Sequence, residues 1–217
     1  MSLPRPRAIL FDWDSTLIDA WPAIGAALND TLVAMGHAPW TDAETRLRVR
    51  ESMRDSFPKL FGERWTEARE VFYARYNACH LDHLAVLPGA ADVLAALKGE
   101  GFYLGVVSNK KGDLLRQEAA HLGWTPHFGR LVGAGDAVRD KPDPAPIAMA
   151  LESSGILPGR EVWFVGDTGI DMACARNAGC IPVLVGDLDP DSAEFRDARP
   201  EWHARDFATL RGLVAGP

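Results

Sequence analysis

The chain has 217 residues, 47% of them hydrophobic and 24% charged, the composition of a folded globular protein long enough to bury a full core. Its formal net charge of −7 excludes a general attraction to nucleic acid or anionic membranes, so an anionic ligand must be held by local cations. Cys79, Cys174 and Cys180 show no CxxC spacing, no signal-type apolar core follows Met1–Arg7, and no run approaches the roughly 18 apolar residues of a bilayer span; a cytoplasmic protein without nucleic-acid or membrane partners is expected.

Ala8–Phe11 is a short apolar run of the kind buried on both faces of a parallel sheet, and it ends on Asp12-Trp13-Asp14-Ser15-Thr16. Two carboxylates at i and i+2 beyond such a strand suit a shared hard divalent cation, and a metal-bound carboxylate can also act as a nucleophile. A solvated turn is the readier account of a bare Asp-x-Asp, and its place after a buried apolar run brings the two readings level.

From about Asp19 to Ala85 the spacing is helical, with breaks near Gly36-His37-Ala38-Pro39, Phe57-Pro58 and Gly62, which predicts a block of three or four helices. Arg46, Arg48, Arg50, Arg54 and Lys59 are candidate substrate contacts there, although basic residues on helices are usually a solvated face. His80-x-x-His83 is either a metal pair or, lacking a third ligand, a surface or packing pair. Trp40, Phe57, Phe61, Trp65 and Phe72 read as the block's own core more readily than as a substrate box.

Beyond Leu87-Pro88-Gly89 strand and helix patterns alternate. Strands are predicted at Tyr103–Val107, Leu131–Gly133, Val162–Val165 and Pro182–Val185, with helices near Ala90–Lys98, Gly112–Leu122, Pro144–Glu152 and Ile170–Asn177. This order implies an α/β fold, a Rossmann-like doubly wound parallel sheet with an inserted all-helical lid. The domains would be 1–18 with 86–217 for the core and 19–85 for the insert.

Three more polar clusters follow predicted strands. Ser108-Asn109, with the backbone N–H groups of the next helix, can form a neutral phosphate cradle, or simply cap that helix. Within Arg139-Asp140-Lys141-Pro142-Asp143-Pro144, the lysine can present a fixed charge to a phosphate and to a negative nucleophile; a surface loop whose Pro144 starts a helix fits as well. Gly166-Asp167-Thr168-Gly169-x-Asp171 offers further metal ligands. Helix capping explains Asp171 well and Asp167 poorly. All four clusters sit at carboxyl ends of parallel strands, where an open α/β sheet places its ligand crevice.

In this order, from Asp12 to Asp171, the clusters resemble the haloacid dehalogenase superfamily, most of whose members are phosphatases. The helical insert resembles that family's alpha-helical cap, and Ser108-Asn109-Lys110 with Asp140-Lys141-Pro142 is most similar to phosphoglycolate phosphatases. The resemblance implies Asp12 as nucleophile and Mg2+ ligand, and Asp14 as general acid/base with its backbone carbonyl on Mg2+. It implies Asp167 as the other direct carboxylate ligand, with Asp171 acting through water or as support. Thr16, Ser108 and Asn109 would bind a small phosphorylated substrate, and Lys141 would neutralise charge at the nucleophile. Ser15 stands where family phosphatases often have glycine, and Trp13 is bulkier than the usual residue. A phosphomutase shares nearly all these motifs; a 2-haloacid dehalogenase normally lacks the second acid and needs no metal; a non-catalytic binding module would have lost a reacting group, and none is missing.

Overall fold

In the computed structural model, residues 5–49 and 53–216 are described, the side chains of Arg54 and Asp55 excepted; Arg50 lies outside the described residues. In chain order the elements are β1 (Ala8–Phe11), β2 (Ile18–Asp19), α1 (Trp21–Ala34), α2 (Asp42–Arg48), α3 (Met53–Phe61), α4 (Trp65–Cys79), β3 (Ala85–Val86), α5 (Ala90–Gly99) and β4 (Tyr103–Lys111). There follow α6 (Gly112–His121), β5 (Arg130–Ala134), α7 (Ala145–Leu151), β6 (Val162–Gly166), α8 (Gly169–Asn177), β7 (Ile181–Val185), β8 (Trp202–Ala204) and α9 (Phe207–Ala215). The chain divides into two compact units, Met1–Ile18 with Val86–Pro217, and Asp19–Ala85.

The first unit holds a six-stranded sheet in the order β5-β4-β1-β6-β7-β8, with every pairing parallel. Chain order therefore reverses at β1, which makes its carboxyl end a topological switch point of a Rossmann-like sheet. Every residue of β1 is fully buried, as a central strand covered on both faces requires. Phe11 is level with Val106 of β4 and with Val165 of β6, so β1 ends one residue before β6 does, while β4 continues to Lys111. The Asp12 N–H donates to the Val165 carbonyl at 2.9 Å, which carries that alignment one residue further.

One strand end and two elements differ from the sequence expectation. β4 runs to Lys111 with a register shift between Val107 and Lys111, so Ser108 and Asn109 lie in an irregular strand extension, and α6 begins at Gly112 as expected. No element was expected beyond Val185, yet β8 and α9 complete the sheet and cover it. Asp206 caps α9, accepting from the Thr209 N–H at 2.7 Å.

In the helical unit, Phe57–Pro58 was expected to break a helix. Pro58 instead lies inside α3, where its ring forgoes a single backbone bond while its neighbour Phe57 packs edge-on against Phe61 at 5.1 Å and Phe72 at 5.8 Å. Those three rings are buried in the unit's own core, whereas Trp40 and Trp65 are half-buried under the guanidinium groups of Arg48 and Arg69. Arg46 lies over Trp21 at 5.1 Å. His80 is buried and stacked on Tyr76 at 5.2 Å, while His83 is exposed. No described helix is long and apolar enough to cross a membrane.

Candidate active site

The loops leaving β1, β5 and β6, the irregular end of β4 and the first turn of α8 bring Asp12, Asp14, Thr16, Ser108, Asn109, Lys141, Asp167 and Asp171 to the carboxyl end of the sheet. At the centre is the Lys141 ammonium, 4% exposed, which donates at 2.7 Å to Asp12 Oδ1 and at 2.7 Å to Asp171 Oδ1. Its nitrogen also lies 5.6 Å from the centre of the Phe164 ring. The loop carrying Lys141 is clamped by Asn109, whose side-chain carbonyl accepts from the Lys141 N–H at 3.0 Å and whose amide donates to the Lys141 carbonyl at 3.1 Å. Asn109 thus fixes the lysine through its backbone. Ser108 is buried, and its hydroxyl accepts from the Lys110 N–H at 3.1 Å.

Asp171 serves two structures at once. One oxygen meets Lys141; the other accepts from the Thr168 N–H at 3.0 Å and hydroxyl at 2.6 Å, closing the first turn of α8. Helix capping and participation in the cluster are therefore not exclusive readings of this residue. A Cβ at position 166 would overlap the Asp171 side chain, which is why glycine stands there. Thr16, also buried, donates its hydroxyl to Asp167 Oδ1 at 2.8 Å.

The electrostatics are those of too many acids for one lysine. Burial pushes the Asp12 carboxyl up to about 6, against the opposing pull of Lys141 and with the charge of Asp171 adding to it. Burial and then the Asp12 and Asp171 charges push Asp167 up to about 8. Lys141 is held charged: burial opposes its ammonium, but the two carboxylates outweigh that and raise it above the usual lysine range.

Oxygens of Asp12, Asp167 and Asp171 lie within 4.8 Å of one another, and this is the sole such cluster of three or more potential ligands among the described residues. A hard divalent cation fits that donor set, which is all carboxylate and short of positive charge. Oxygen accounting distinguishes the three acids. Both Asp171 oxygens are engaged, whereas Asp12 and Asp167 each have one oxygen that accepts no hydrogen bond from the described residues.

Asp14 points elsewhere. Its Oδ1 accepts from the Lys110 ammonium at 2.6 Å, and the same ammonium donates to Glu118 at 2.7 and 2.9 Å. Glu118 is fully buried and accepts from the Trp13 indole N–H at 2.7 Å. Burial raises the Asp14 carboxyl, and Lys110 opposes that shift. Lys110 was named only within the Ser108-Asn109-Lys110 resemblance, without a role, and Glu118 was not singled out. A signal existed: on α6, Leu114, Leu115 and Ala119 are buried apolar residues, and Glu118 interrupts that face with a charge.

Ser15 sits between Asp14 and Thr16 with φ of 61°, the left-handed conformation that favours glycine. Its N–H donates to the Ile18 carbonyl at 2.7 Å. The turn after β1 thus places a non-glycine residue at positive φ.

A family model described as haloacid dehalogenase-like hydrolase matches residues 9–185. Among curated proteins, a phosphoglycolate phosphatase of Xylella fastidiosa is 34% identical over 216 residues, covering 98% of this chain and 93% of that protein. A phosphoglycolate phosphatase of Chromobacterium violaceum is 31% identical over 199 residues, covering 86% and 87%. Among solved structures, a predicted phosphoglycolate phosphatase from Haemophilus somnus superposes with a TM-score of 0.84 at 22% identity, covering 97% of this chain and 98% of that one; at that identity the likeness speaks for the fold.

Proposed function

The chain belongs to the haloacid dehalogenase-like hydrolases, and from that premise we propose that it is a Mg2+-dependent phosphatase acting on a small phosphomonoester through a phosphorylated Asp12. The observation that carries the reading is the Lys141 ammonium shared between Asp12 and Asp171 at the mouth of the parallel sheet. Asp12 attacks phosphorus in line. Asp14 protonates the departing alkoxide, then deprotonates the water that releases phosphate from Asp12. Lys141, with donors from Ser108, Asn109 and neighbouring backbone, offsets charge on the transferring group; such transfers depend mainly on positioning and electrostatics. Thr16 keeps the Asp167 carboxylate oriented.

Asp12 and Asp167 would hold the cation directly through their uncommitted oxygens, with the Asp14 backbone carbonyl as a third ligand and Asp171 in support. Bound there, Mg2+ would supply positive charge against the phosphate and the acids around it. The unit Asp19–Ala85 is proposed as the cap that selects the substrate, and the names of the curated relatives make phosphoglycolate the first compound to try.

The test is a phosphate-release assay on phosphoglycolate and a panel of phosphorylated metabolites, with Mg2+ and after exhaustive chelation. Release that depends on Mg2+ and is lost in Asp12→Asn supports the reading. Full activity in chelator, or near wild-type turnover by Asp12→Asn, overturns it.

A further inference from the structure

The proposed chemistry uses Asp12, Asp14, Lys141 and the acids of β6–α8, but it leaves a second buried charge network without a task. Lys110 has a side chain 5% exposed and Glu118 one that is 0% exposed. Withdrawing both charges from water is costly, and a well-packed apolar pair of similar volume commonly serves stability as well or better. A buried pair beside a reacting acid therefore calls for an explanation other than stability.

The geometry points to Lys110 and Glu118 as positioning residues that fix the Asp14 carboxylate for leaving-group protonation. This rests on the reading of Asp14 as general acid. The ammonium of Lys110 divides its donors between Asp14 Oδ1 at 2.6 Å and the two Glu118 oxygens at 2.7 and 2.9 Å. Glu118 is held in turn by the Trp13 indole N–H at 2.7 Å. Trp13 is the residue between the two reacting acids in sequence, is fully buried, and packs edge-on against Trp124 at 5.9 Å and Phe128 at 6.4 Å. A closed circuit results: Asp14 to Lys110, Lys110 to Glu118, Glu118 to Trp13, and Trp13 back to Asp14 through one peptide bond.

That circuit ties the orientation of the acid to the rigid floor of the site. Asp14 is 29% exposed at its side chain, whereas the ammonium anchoring it is buried and held from its far side by both oxygens of Glu118. Trp13, bulkier than the usual residue between the two acids, supplies the donor that holds Glu118.

The test exploits the leaving group. A p-nitrophenolate departs without a proton, whereas an alkoxide requires one, so mispositioning Asp14 penalises alkyl phosphates selectively. kcat/KM reports the steps through departure of the leaving group, which keeps a slow common hydrolysis from masking the difference. The variants are Glu118→Gln, and Lys110→Met combined with Glu118→Gln, the latter removing both buried charges so that neither is left unpaired if the single change fails to fold. Wild type and variants are compared on p-nitrophenyl phosphate and phosphoglycolate with Mg2+.

The expected result is a fall in kcat/KM at least about ten-fold larger on the alkyl ester than on the aryl ester, within the range that general acid catalysis contributes. Equal losses on both esters, or no loss on either, overturn the positioning role while leaving the phosphatase reading intact. Failure of wild type itself to hydrolyse either ester overturns both.

Discussion

Replacing Lys141 by methionine keeps an unbranched stem as far as Cε and deletes the ammonium that Asp12 and Asp171 share. At an effective dielectric of about 20, each of the two 2.7 Å contacts carries a gross attraction of about 6 kcal/mol, much of it offset by the desolvation of the three charges. Breaking such a buried pair by removing one partner costs about 3–5 kcal/mol. Proton uptake limits the loss, because the Asp12 carboxyl already stands at about 6 and rises further once the lysine is gone. The lower end, about 3 kcal/mol, is therefore the expectation in metal-free buffer at neutral pH. For a chain of this size that lowers Tm by roughly 6–12 °C. Turnover should fall by about 10²-fold or more, as for other lost stabilisers of transferring charge. Thermal melts in chelator and kcat/KM with Mg2+ measure the two effects. A variant that melts with wild type and keeps near wild-type kcat/KM would refute the reasoning, since it would mean that the shared ammonium matters neither to the folded state nor to phosphoryl transfer.

Asp12→Asn should abolish turnover, and Asp14→Asn should slow it by about 10²-fold or more on an alkyl phosphate; both are read by phosphate release. Asp167→Asn should remove most of the rise in Tm that Mg2+ produces in wild type, because a ligand bound only by the folded state stabilises it in proportion to its affinity; an undiminished Mg2+ shift would exclude Asp167 as a ligand. Ser15→Gly should raise Tm by a few degrees. Relief of a left-handed residue, about 1–2 kcal/mol, exceeds the roughly 0.4–1 kcal/mol cost of a freer unfolded chain, and a lower Tm would contradict that balance.

The parallel sheet was legible in the sequence because its central strands are apolar on both faces and end abruptly on polar residues, as Phe11-Asp12 and Val165-Gly166-Asp167 do. β8 escaped because Trp202-His203-Ala204 is too short and mixed to show a period, although the Asp206 cap followed by Phe207, Leu210 and Val214 gave fair warning of α9. Pro58 misled because a proline reads as a break, yet aromatic packing around Phe57 outweighs one missing backbone bond. Residue types at strand ends named the polar clusters but not their partners. Nothing in the sequence says that Asn109 would hold the Lys141 peptide or that Thr16 would bond Asp167, since these contacts depend on how loops from separate strands meet. Arg50, a candidate substrate contact, lies outside the described residues. Its neighbours Arg46 and Arg48 are engaged with Trp21 and Trp40.

The central claim is that Asp12 carries the phosphoryl group between two half-reactions. Asp14→Asn with p-nitrophenyl phosphate and Mg2+ tests it most directly, because the aryl group departs without an acid while hydrolysis of the phosphorylated enzyme stalls. Rapid mixing should give a burst of one nitrophenolate per enzyme chain, and acid-quenched protein should carry a phosphoryl group on the peptide containing Asp12. Turnover without a burst and with Asp12 unmodified, or a phosphoryl group on any other residue, would contradict the account.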